Sequence, residues 1–175
     1  MAPIGLCSAH FAIATPTTRF FSDSAASGAA TLEAVHVFAE PNDARNKDAQ
    51  LTGLLMKSDT LAGPKTLLAK GTPVTPFANR SFNGLQPVGS GQWVRLPMPA
   101  VSLPPGPAVN ASITWIGVIS TKDMTCFGVA RGGASPTLGP LAPDSYAGPL
   151  APGQAPASAT WSAGGFSFSA YATVK

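Results

Sequence analysis

A chain of 175 residues is long enough for one domain with a real core, and 45% apolar content is ordinary for a globular protein. Only 11% of the residues are charged, against roughly 25% in an average soluble domain. The 11 Lys and Arg are scattered with no interleaved aromatics, which gives no footing for nucleic acid. A surface this poor in charge suits a chain packed against copies of itself or other subunits, or an extracellular β-domain rich in Ser, Thr and Gly.

Residues 1–28 are small and polar around two apolar islands, Phe11-Ala-Ile13 and Phe20-Phe21. They are expected to form an extended N-terminal arm, or a first strand, followed by a flexible turn. The opening residues lack the basic region and sustained apolar stretch of a secretory signal. No window approaches the ~18 apolar residues of a membrane span. The islands have no obvious place in a finished sandwich. The arm is therefore expected to dock on a neighbouring subunit, and its deletion to leave the domain folded.

From residue 30 the strand signals become regular. Leu32, Ala34, His36 and Phe38 alternate with Glu33, Val35 and Val37 until Glu40-Pro-Asn-Asp43 ends the run. Residues 51–56 and 66–69 are short β-prone runs with turn residues between them. Residues 92–103 carry Trp93, Val94, Leu96, Met98 and Val101 among prolines, which suits an edge strand. Residues 112–120 are nearly all apolar, the pattern of a central strand buried on both faces. Residues 124–130 follow a short turn as a hairpin partner.

Six prolines fall between residues 135 and 158, in a loop long enough to be functional or pinned by a neighbour. Prolines lower the entropy lost on docking, so the loop is expected to carry an interface. The chain then closes on a clear period of two. Phe166, Phe168, Ala170, Ala172 and Val174 alternate with Ser167, Ser169, Tyr171 and Thr173, placing one face in a core and the other in solvent. The best helical stretch, residues 43–51, has charges all round and no apolar stripe. Short strands at this spacing predict an all-β, antiparallel β-sandwich of jelly-roll type over residues 29–175, behind the arm of residues 1–28.

Chemistry is sparse. His36 sits within an apolar alternation, as a structural histidine does, and His10 has no acidic neighbour. Cys7 with His10 is too small a set for zinc. The cations between Asp43 and Asp48 oppose calcium. No nucleophile elbow, phosphate loop or dinucleotide fingerprint is present. Asn79-Arg-Ser81 and Asn110-Ala-Ser112 fit the glycosylation sequon, which matters only in a eukaryotic secretory pathway. Cys7 and Cys126 lie far apart and are expected as free thiols, unless the N-terminal segment folds back. Trp93 and Trp115 lie in apolar strands and are expected in the core. Tyr146, in the long loop, and Tyr171, on a polar face, are the better contact candidates. No catalytic residue, cofactor or metal is expected.

Five stretches in order carry a resemblance. Trp93-Val-Arg-Leu96 precedes the proline turn Leu103-Pro-Pro-Gly106, and Trp115-Ile-Gly-Val-Ile-Ser120 follows. Then come Asp144-Ser-Tyr-Ala-Gly-Pro149 and the closing residues 166–174, with residues 61–70 upstream resembling a small hairpin segment. Over residues 29–174 the chain resembles a jelly-roll module of bacterial secreted proteins and of minor tail or other virion proteins of actinobacterial phages. The resemblance implies a non-enzymatic virion protein, a capsid-decoration or minor tail component. Its expected partners are copies of itself and other virion proteins, with no membrane or nucleic acid. An extracellular carbohydrate-binding or adhesive module, with a host-surface glycan as partner, is the alternative. The interface candidates are Phe11, Ile13, Phe20, Phe21, Tyr146 and Tyr171.

Overall fold

The computed structural model describes residues 3–7, 12–16, 31–41, 44–58, 64–103, 113–120, 126–130, 145–147, 155, 158–163 and 170–175. In chain order they form β1 (Pro3–Cys7), β2 (Ala12–Pro16), β3 (Thr31–Pro41), β4 (Leu51–Ser58), β5 (Thr66–Lys70), β6 (Phe82–Asn83) and β7 (Gln86–Pro87). There follow β8 (Gln92–Ser102), β9 (Ile113–Ser120), β10 (Cys126–Ala130), β11 (Ser145–Ala147), β12 (Ser162–Ala163) and β13 (Ala170–Val174). All the pairings are antiparallel, and the chain is all-β as expected. Among the described residues of the stretch 43–51, only Ala44–Asn46 forms a 3-10 turn, because no apolar stripe holds a longer helix to the core.

In the first sheet β3 pairs β8 along one edge, from Thr31↔Ser102 to Ala39↔Gln92. Its other edge is shared end to end. β13 takes residues 32–37 and β10 takes residues 39–41, with β1 beyond β10. The second sheet runs β12-β11-β2-β9-β4-β5. β8 pairs β3 alone among the described residues, an edge position that tolerates Pro97 and Pro99. Within the expected run 124–130, Cys126–Ala130 is a strand, but β10 and β9 belong to different sheets instead of forming the expected hairpin.

The sheets meet at one apolar cluster. Leu32, Val35, Val37 and Ala39 of β3 pack with Val94, Leu96 and Met98 of β8 and with Leu51 and Leu55 of β4. Phe77, from the segment between β5 and β8, is fully buried in the same cluster. Ala172 and Val174 of β13 pack against its rim, as the closing alternation requires. Full burial of a Val, Leu or Phe side chain contributes roughly 1.5–3 kcal/mol, and a cluster of this size supplies the main stabilising term. Burial on both faces is observed at β4, where Thr52, Leu54, Met56 and Ser58 are also buried. Within the run where such burial was expected, Ile113–Ser120 forms β9, central between β2 and β4.

Of the two expectations for the N-terminal segment, the strand is the one the described residues take. Residues 3–7 and 12–16 form a strand in each sheet. β1 pairs β10, and β2 lies between β11 and β9. A strand inside a sheet pairs its backbone groups on both sides, and β2 does so with β11 and β9 at once. The proline-rich stretch 135–158 likewise gives up Ser145–Ala147 to the second sheet.

Two outcomes follow for stability. Deleting residues 1–16 should abolish the cooperative thermal transition, and a truncated chain that melts like the full one would show β2 to be dispensable. At Gly71 a Cβ would collide with the backbone oxygen of Pro97 and press on Met98. Gly71→Ala should therefore cost about 1–3 kcal/mol in urea unfolding, the usual range for overpacking.

Candidate functional site

The outward face of the first sheet carries the most distinctive group of side chains. The alternation of residues 32–38 by itself would put Leu32, Ala34, His36 and Phe38 on one side. A register shift changes that. Leu32 pairs Val174 and Ala34 pairs Thr173, leaving Glu33 as an extra residue on β3. One extra residue reverses the sidedness of everything beyond it. Val35, Val37 and Ala39 therefore enter the core, while His36 and Phe38 turn outward.

Four rings meet on that face. Tyr171 lies directly across from His36 in the β13–β3 register, and the two stack at 4.2 Å between centroids with only 7° between their planes. Trp93 meets Tyr171 edge-on at 4.9 Å, and Phe38 meets Trp93 edge-on at 5.6 Å. Such contacts each add about 0.5–1.5 kcal/mol beyond area burial. Gly91 makes room for the Phe38 ring, since a Cβ there would come within 2.7 Å of it. Despite these contacts Trp93 remains 49% exposed and Tyr171 43% exposed. Held rings with open surface have little freedom left to lose on binding.

Polar groups rim the cluster. His36 Nε2 and the Thr173 hydroxyl are hydrogen-bonded at 2.8 Å, and Arg95 stands opposite His36 in the β3–β8 register. Burial, and then the positive charge of Arg95, hold the His36 pKa below its ordinary 6.5. The face is accordingly uncharged at His36 near neutral pH.

A threonine hydroxyl beside an imidazole is part of a nucleophile–base arrangement. Here the pair lies on a sheet face next to stacked rings. A cleft of about 420 Å3 lies elsewhere, lined by Pro76, Asn79, Arg80, Ser81, Val88 and Gln92. Two of its polar side chains are linked, while Arg80 Nε is buried with no hydrogen-bond partner among the described residues. Arg80 donates to Gln92 Oε1 at 3.3 Å and to the Ser90 carbonyl, and Gln92 donates to the Pro76 carbonyl at 3.0 Å. They clamp the segment between β5 and β8 to the first sheet.

Of the expected interface residues, Tyr171 lies in this ring cluster. Ile13 and Tyr146 are register partners in the β2–β11 ladder of the second sheet, so Tyr146 belongs to a strand rather than a free loop. Phe11, Phe20 and Phe21 lie outside the described residues. Trp93, expected in the core, is at the surface. Its signal was available: Trp93 and Arg95 are two residues apart, so they share a face, and a strand keeps its charged face in solvent. His36 and Phe38 had no such signal, because the register shift at Glu33 appears only in the pairing of β3 with β13 and β8. No family model, curated protein or solved structure matches this chain.

The lowered pKa of His36 makes stability pH-dependent. Between the folded-state pKa and 6.5 the unfolded chain holds a proton that the folded chain lacks. This contribution is therefore complete above pH 6.5 and is lost as pH falls toward the folded value. The melting temperature should drop from about pH 7.5 to about pH 5 more steeply in the wild type than in His36→Gln. Equal slopes would remove His36 as the source.

Proposed function

We propose that this chain is a non-enzymatic structural protein of a bacteriophage particle, a capsid-decoration or minor tail component that works through contacts between subunits. The observation that carries the contact half of this reading is the exposed, mutually braced pair Trp93 and Tyr171. Aromatic residues held in fixed positions and rimmed by an arginine are the usual composition of binding hot spots. The low charge of the whole chain agrees, since charged residues are depleted at interface cores. The virion half rests on the resemblance of residues 29–174 to tail and virion modules.

Trp93→Ala with Tyr171→Ala tests the face. The double variant should keep its fold, because both rings are half-exposed, and should weaken self-association or incorporation by about 30-fold or more, the effect of losing one strong hot spot. Sedimentation over a concentration series reads the first and mass spectrometry of purified particles the second. The proposal fails if the chain is absent from particles and the same two residues instead support binding of an isolated glycan.

A further inference from the structure

Cys7 and Cys126 are far apart in sequence, which is why free thiols were expected. The fold removes that objection. β1 and β10 pair from Pro3↔Ala130 to Cys7↔Cys126, so the two cysteines are direct cross-strand partners at the end of the ladder. Opposed residues in an antiparallel pair have Cα atoms roughly 4.5 or 5.5 Å apart, according to their place in the hydrogen-bond pattern. Both spacings fall inside the roughly 4.4–6.8 Å that a disulfide spans.

The placement also gives the bond something to do. β1 is only five residues long and pairs β10 alone among the described residues. β10 itself reaches β3 through only three register pairs, Phe127↔Pro41 to Val129↔Ala39. A short outer strand on a narrowly attached neighbour is held by few hydrogen bonds and opens easily. A covalent link at its end closes a long loop between the N-terminal strand and β10. The largest restriction of the unfolded chain comes from such long closures.

We propose that Cys7 and Cys126 form a cross-strand disulfide that locks β1 onto β10 when the chain enters an oxidising medium, and that the pair is a dithiol in a reducing one. The oxidant is a small-molecule disulfide such as oxidised glutathione. One cysteine thiolate attacks it, forming a mixed disulfide and releasing one glutathione thiolate. The second cysteine thiolate then displaces the other. Two protein thiols are oxidised, one glutathione disulfide is reduced to two thiols, and the two protons pass to the leaving thiolates. The inference stands on register alone and is independent of the proposed function.

Purified full-length chain is incubated with oxidised glutathione, then alkylated under denaturing conditions with and without prior reduction. The expected product is a monomer lighter than the dithiol by two hydrogens, with neither cysteine alkylated until reductant is added. Peptide mapping should join the peptides holding Cys7 and Cys126. The oxidised monomer should melt about 5–15 °C above the reduced one, from the typical worth of a disulfide in a chain of this size. Cys7→Ser should erase that difference. Two alkylatable thiols after oxidation, stable glutathione adducts, or a dimer linked between copies would each overturn the proposal, and none of these readings requires a variant to fold.

Discussion

A strand has two edges and two faces, and β3 uses all four. One edge is filled by β8, and the other is divided between β13 and β10. Its inner face supplies Leu32, Val35, Val37 and Ala39 to the cluster shared with β4. Its outer face carries His36 and Phe38. These assignments hold together because Glu33 is accommodated as an extra residue against β13. A side-chain period of two leaves no intermediate solution. Without that residue His36 would enter an apolar core, where an imidazole needs a partner to offset lost hydration.

The same bulge couples core and surface. Burying Val35 and Val37 commits the alternate positions to the other side, so forming the core also assembles the ring cluster. Tyr171 obeys the same rule on β13, where Ala172 and Val174 pack against the core and Tyr171 faces out over His36. Trp93 obeys it on β8, between the buried Val94 and the half-buried Gln92. Three strands distant in sequence thus deliver their rings to one place by pairing alone. The exposed surface of Trp93 and Tyr171 comes with neighbours that restrict both rings, which is the condition for a contact made at low entropic cost.

The remaining segments close the structure around this centre. The stretch between β5 and β8 crosses the core and plugs it with Phe77, held by paired backbone bonds between Leu51 and Val74 and by the Arg80–Gln92 clamp. At the N-terminus β1 and β2 enter different sheets, so the first 16 residues tie the two together. Thr52 adds an unusual note. It is fully buried, and its hydroxyl has no hydrogen-bond partner among the described residues. The neighbouring Leu54 and Met56 are equally buried, and the apolar burial of that face outweighs the roughly 1–3 kcal/mol that an unpaired polar group costs.

By itself the sequence determined the class of the fold and much of its strand inventory. Alternation over residues 170–174, proline on the edge strand and the absence of an apolar helical stripe are local signals, and each is expressed in the described structure. Tyr171 was legible for the same reason, as a large residue on the polar side of a strand. Tertiary structure alone decided the partners. Nothing in residues 1–16 shows that they complete two sheets, because a strand's hydrogen-bonding edges are chemically the same in every sequence. Nothing near Cys7 points to Cys126, and nothing near His36 points to Tyr171. At Glu33 the register of β3 shifts against both β13 and β8, strands distant along the chain, and the shift puts His36 and Phe38 on the side opposite the one the local alternation gives them. Local pattern fixes a strand's period, whereas its phase and neighbours come from long-range pairing.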